Sequence, residues 1–178
     1  MTIIQNFPQE WQEKWEQENF KDPTNIQEQL FAPLREKESV LGISPTGSGK
    51  TLAYLLPLLL NVEKGEGNQL LILLPSQELA SQVAEVVREW ITPLDLNIQT
   101  IIGGANLSRQ VDRLKKRPEV LVGTPGRVLE LIKAKAVVTA PKQVGKIDLE
   151  PKPVVAETPK ISPVKKEEKP VEVAVEKP

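Results

Sequence analysis

The sequence predicts an α/β fold: a parallel sheet with flanking helices, followed by a tail without stable structure. Three features support it. Four apolar runs of strand length (residues 40–43, 69–74, 97–102 and 119–123) are each followed by a helix-like segment, the alternation of βαβ units. The first strand–helix junction, Ser44-Pro45-Thr46-Gly47-Ser48-Gly49-Lys50-Thr51, is a glycine-rich turn that ends in Lys-Thr. Residues 141–178 hold 7 of the 16 prolines and no aromatic residue, so they cannot bury enough surface to offset their ordering entropy.

The junction is the layout of a phosphate-binding P-loop: strand, glycine turn, Lys-Thr, helix. Gly47 and Gly49 lack Cβ, so the backbone of Thr46, Gly47, Ser48 and Gly49 curls with its N–H groups toward an anion. The helix starting near Lys50 adds its positive dipole end. Lys50 is positioned to reach the outer phosphates, and the Thr51 hydroxyl to ligate Mg²⁺. A flexible Gly-Ser turn accounts for the glycines but not for Lys-Thr at the mouth of an apolar helix. Ser44 departs from the generic pattern, which has Gly there.

Upstream, Phe7, Trp11 and Trp15 recur every four residues as one apolar stripe, with Pro8 near the helix start. A packed helix face fits this spacing better than an RNA-stacking surface. Thr24-x-x-Gln27 is a capping box for a helix running to about Lys37. Downstream, residues 69–74 are continuously apolar, as for a strand covered on both faces. Ser76 caps the next helix, whose stripe is Leu79, Val83, Val86, Val87 and Trp90. The third strand runs into Gly103-Gly104. Arg109, Arg113, Lys115, Lys116 and Arg117 form a basic cluster, read either as an RNA-facing surface or as a solvated helix end. The fourth strand leads into Thr124-Pro125-Gly126-Arg127, with Pro125 suited to a first helical position and Arg127 to pairing with a phosphate.

Taken together, these segments resemble the DEAD-box ATP-dependent RNA helicases, in order and spacing, over residues 20 to about 133. Residues 44–51 are similar to the family's A-x-T-G-S-G-K-T. Phe20, Pro23, Thr24, Ile26 and Gln27 match its Q motif, with Asn19 where the family prefers Gly. Pro75-Ser76-Gln77-Glu78-Leu79-Ala80 resembles P-T-R-E-L-A, with Gln77 in place of Arg; Thr124 to Arg127 match T-P-G-R without departure. The resemblance implies an incomplete RecA-like P-loop domain that uses ATP and Mg²⁺. It implies that the Gln27 amide pairs with the adenine edge, that Phe20 packs on the base, and that Lys50 and Thr51 serve catalysis. It also implies RNA-backbone contacts from Pro75, Gly103, Gly104, Thr124, Pro125, Gly126 and Arg127, with Gln110 where the family often has Gln.

Residues 1–38 are assigned to the N-terminal helix and Q-motif region, 39–135 to a partial ATP-binding domain and 136–178 to a disordered tail rich in Pro, Val, Lys and Glu. No Asp-Glu-Ala-Asp follows, nor the family's S-A-T motif or second domain, as if an internal deletion or gene-model error had joined the first domain to a C-terminal tail. In the family the P-loop strand lies mid-sheet beside later strands, so here its edges are expected to be unpaired. Net charge is −1, so RNA contact must be local, and without a second domain weak. There is no cysteine or histidine, which excludes disulfides and the usual zinc sites and fits a reducing interior. No signal peptide or spanning segment is present, so a soluble cytoplasmic protein with no membrane and no obligate protein partner is expected. The functional reading is a helicase fragment that binds ATP and RNA and does not hydrolyse or unwind alone. The alternative is a non-catalytic nucleotide- or RNA-binding module; an unrelated P-loop ATPase leaves the Q motif and T-P-G-R unexplained.

Overall fold

Phe7, Trp11 and Trp15 all bury themselves on one side of the chain, Trp11 and Trp15 from α1 (Gln9–Gln17). In this computed structural model, residues 2–104, 106–134, 136 and 137 are described, together with the backbone of 152–155. Trp11 meets Trp90 edge to face, centroids 5.6 Å apart, and its indole N–H donates to the Trp90 carbonyl at 2.7 Å. The ring is thus buried without orphaning its donor, and the aromatic stripe is core, as its spacing implied.

α2 (Asn25–Arg35) starts at the Thr24 cap and stops two residues short of the expected end, where Lys37 turns left-handed with φ 62°. β1 (Val40–Ile43), α3 (Lys50–Leu59), β2 (Leu70–Leu73), α4 (Gln77–Ile91), β3 (Ile98–Ile101), α5 (Leu107–Leu114), β4 (Val120–Gly123) and α6 (Pro125–Lys133) follow in the expected alternation. β2, β4 and β3 form a parallel sheet in that order, with Leu70 and Ile98 both level with Val120. Central β4 is buried along its whole length. β2 is not covered on both faces: Leu73 is 50% exposed and Leu71 also faces outward, and β2 is an edge strand among the described residues. In α4, Val83, Val87 and Trp90 are buried as expected. Leu79 is exposed and Val86 half-buried, however, because Ala80, Ala84 and Ile91 share the inward face.

The P-loop strand is not unpaired on both sides. β1 pairs in parallel with β5 (Lys152–Val155), Val40 level with Lys152 and Ile43 with Val155. That strand falls inside the segment read as a tail without stable structure. Residues 136 and 137 also turn back on α6: the Ala136 N–H donates to Leu131 at 2.9 Å, and Val137 is buried. The rest of the expected tail lies outside the described residues. No helix among those described is long and apolar enough to cross a membrane.

One buried carboxylate ties the entrance of the sheet together. Glu119, only 2% exposed, accepts from the N–H groups of Gly65 and Asn97, each at 2.8 Å. Burial pushes its pKa up, but these backbone donors and the Asn97 side chain outweigh burial and hold it below the usual value. The sequence reading took Glu119 only as the first residue of a strand.

Candidate nucleotide site and RNA-facing loops

The site grows from α1 as much as from the P-loop. Asn19 adopts φ 53°; its N–H donates to the Glu16 carbonyl at 2.9 Å and the Phe20 N–H to the Trp15 carbonyl at 3.1 Å. This is a Schellman termination, and asparagine tolerates the left-handed region better than most residues. It explains why Asn19 serves where a glycine is preferred. The accompanying apolar contact sets Phe20 against Trp15 with centroids 5.1 Å apart, leaving Phe20 42% exposed.

The capping segment holds the phosphate loop. The Gln27 Oε1 accepts from the Thr24 N–H at 2.9 Å, and its Nε2 donates to the Gly49 carbonyl at 3.3 Å. The Thr24 hydroxyl donates to the Ser48 carbonyl at 2.9 Å. Capping and loop-holding are therefore done by the same two residues. Gln27 is buried, yet its amide retains one N–H and one lone pair beyond these bonds.

Within the loop, Gly47 and Gly49 take φ 80° and 82°, which only glycine adopts readily. A Cβ on Gly47 would meet nothing within 4 Å, whereas one on Gly49 would lie 2.7 Å from the Gln27 Nε2. The Lys50 Nζ donates to the carbonyls of Ser44 and Pro45 at 2.8 and 2.6 Å, which leaves its third donor. Ser44 and Ser48 share a hydroxyl hydrogen bond of 2.6 Å. That pair is what Ser44 contributes in the slot where the generic motif has glycine, and the departure itself was its sequence signal. Thr51 stands half-buried in the first turn of α3, its hydroxyl without a partner among the described residues.

The loops after β2, β4 and β3 leave one end of a parallel sheet, so Pro75, Thr124 and the Gly103-Gly104 pair emerge together. Pro75, Gly104, Pro125 and Gly126 are exposed. A Cβ on Gly103 would come 2.8 Å from the Gln77 Nε2, so Gln77 reaches from the start of α4 to the glycine pair. Arg127 faces inward more than expected: it is 13% exposed by side chain. Its Nε donates to the Gln110 Oε1 at 3.0 Å and its Nη1 pairs with Glu130 at 2.7 Å. The Gln110 Nε2 in turn donates to the Ile102 carbonyl at 2.9 Å. Arg127 thus braces the glycine loop through Gln110, a contact between separate motifs that no local pattern displays.

A family model for DEAD/DEAH box helicases matches residues 24–147. Over 125 residues the chain is 46% identical to the probable ATP-dependent RNA helicase YfmL of Bacillus subtilis, spanning 70% of this chain and 33% of that protein. It is 45% identical over 125 residues to the DEAD-box ATP-dependent RNA helicase CshC of Bacillus cereus, spanning 70% of this chain and 32% of that one. Among solved structures, a DEAD box protein from the hyperthermophile Methanococcus jannaschii superposes with a TM-score of 0.67 at 30% identity, over 75% of this chain and 37% of that one. The chain spans about a third of the length of these relatives. With a RecA-like parallel sheet and this match over most of its length, the chain belongs to the DEAD/DEAH box helicase family.

Proposed function

We propose that this chain is the nucleotide-binding part of an ATP-dependent RNA helicase, and that by itself it binds ATP and an RNA backbone without turning ATP over. The observation that carries this reading is the hydrogen bond from Gln27 to the Gly49 carbonyl, which hangs the base-reading amide on the phosphate loop. The donor set fits a nucleoside triphosphate. The N–H groups of Gly47, Gly49 and Lys50 have no acceptor among the described residues, and Lys50 has a donor to spare. Thr46 to Thr51 hold the phosphates, Thr51 offers one hydroxyl ligand to Mg²⁺, Gln27 reads the adenine edge and Phe20 covers the ring. When bound, the metal supplies charge neutralisation to the β and γ phosphates.

Pro75, Gly103, Gly104, Thr124, Pro125 and Gly126 present backbone groups to RNA phosphates, while Arg127 acts mainly by bracing that surface. A non-catalytic binding module is the second reading. It is favoured by one fact: residues 134–178 contain no Asp-Glu-Ala-Asp to complete the metal shell and orient water. The test is titration of the 178-residue chain with a fluorescent ATP analogue and Mg²⁺. Saturable binding that ATP displaces and that Lys50→Ala abolishes supports the proposal; binding indifferent to Lys50→Ala sinks it.

A further inference from the structure

β3 pairs only with β4, so its other edge is free among the described residues. The carbonyls of Asn97 and Ile101 accept from β4, and the alternation of the ladder therefore turns the peptide groups of Ile98, Thr100 and Ile102 to that free edge. A cavity of about 560 Å³ runs along it, lined by these residues, Gly104, and three arginines, Arg88, Arg109 and Arg113; no carboxylate lines it.

Two of the three carbonyls on this edge are already taken. The Gln99 Nε2 donates to the Thr100 carbonyl at 2.8 Å, and the Gln110 Nε2 to the Ile102 carbonyl at 2.9 Å. Arg88 is fixed at the wall by donating to the Thr100 hydroxyl at 2.9 Å and pairing with Glu85 at 2.5 Å. The side chains of Arg109 and Arg113 have no hydrogen bond or ion pair among the described residues, and the acidic neighbour Asp112 is held by Lys115 at 2.7 Å. What remains toward the cavity is mainly backbone N–H and guanidinium, with the Ile98 carbonyl the one edge acceptor that has no donor among the described residues. Such a lining suits a phosphate, which offers several acceptor oxygens and negative charge.

We propose that this cavity is a phosphate-binding subsite for the backbone of an RNA strand that continues past the Gly103-Gly104 loop and down the free edge of β3. The proposal rests on the RNA-binding reading above, and Gly104, common to the loop and the cavity, joins the two surfaces. It assigns two of the five residues of the basic cluster a ligand: Arg109 and Arg113 face the strand, while Lys115, Lys116 and Arg117 do not line the cavity. Arg88, on α4, belongs to the same site although it lies outside that cluster in sequence.

The test is fluorescence anisotropy of the 178-residue chain with a single-stranded RNA of about 12 nucleotides, long enough to span both surfaces, across a salt series. Arg109→Ala with Arg113→Ala is expected to weaken RNA binding about tenfold and to flatten the salt slope by about 1.4, the loss of two phosphate contacts to a single strand. Binding of Mg-ATP is expected to stay unchanged, which shows that the variant is folded. Arg109→Lys with Arg113→Lys is expected to restore most of the slope. An alanine variant with wild-type affinity and slope overturns the subsite and leaves the RNA reading standing. An intact chain that binds no RNA overturns both.

Discussion

The Gln27 Nε2 donates to the Gly49 carbonyl at 3.3 Å, so the segment that starts α2 and the loop that starts α3 move as one piece. The two glycines of that loop are therefore not equivalent. Gly49→Ala forces both a left-handed alanine and a Cβ 2.7 Å from the Gln27 Nε2; Gly47→Ala forces only the first. The backbone term alone is worth about 1–2 kcal/mol. Urea unfolding should show the larger loss for Gly49→Ala, and combining it with Gln27→Ala should cost less than the sum of the two. Equal losses for Gly47→Ala and Gly49→Ala would contradict the coupling.

Glu119 makes stability depend on pH in a defined direction. Its folded pKa lies below the ordinary carboxylate value, so its contribution is present above the unfolded pKa and is lost as pH falls through the folded one. Glu119→Gln keeps the shape but weakens the bonds to the Gly65 and Asn97 N–H groups, for a loss of about 1–3 kcal/mol near neutral pH. Denaturant midpoints at pH 7 and pH 4 should show the gap between wild type and variant narrowing in acid. A constant or widening gap is the opposing result.

Local pattern was enough for much of this. The strands at 40–43 and 120–123, the aromatic stripe of α1, the glycine turn at 44–51 and the capping box at Thr24 and Gln27 were readable because each lies within one short window of sequence. What could not be read depended on which segments meet in space. Leu71 and Leu73 look like a strand covered on both faces, but β2 falls at a sheet edge. Lys152–Val155 sits in a composition that argues against order, and its pairing with β1 joins residues more than a hundred positions apart. Arg127 carries the charge for a phosphate contact, but Gln110 and Glu130 claim it first. Glu119 counted as a strand residue until its carboxylate met the Asn97 and Gly65 N–H groups.

Neither functional reading expects turnover from this chain by itself. In the proposed reading Lys50 and Thr51 hold the phosphates and metal, but the sequence has no Asp-Glu-Ala-Asp to position an attacking water. Arginines that stabilise the transition state in phosphoryl transfer are worth about 10³–10⁵ in rate. Tight binding of the ground state does not replace them. Phosphate release from Mg-ATP should stay at background with or without RNA, with Lys50→Ala as the contamination control. RNA-stimulated release abolished by Lys50→Ala would show a working ATPase instead.

The most direct test of the nucleotide site is calorimetric titration of the intact chain with Mg-ATP and Mg-GTP, alone and with Gln27→Ala. Adenine presents a donor where guanine presents an acceptor, and the Gln27 amide has one donor and one acceptor left to tell them apart. A mismatched, buried amide typically costs about 1–3 kcal/mol, so ATP should bind roughly ten- to a hundredfold tighter than GTP. Gln27→Ala should erase that preference by weakening ATP more than GTP. Equal affinities for ATP and GTP in the intact chain, or a preference that survives Gln27→Ala, would contradict the assignment of Gln27 and Phe20 to the base.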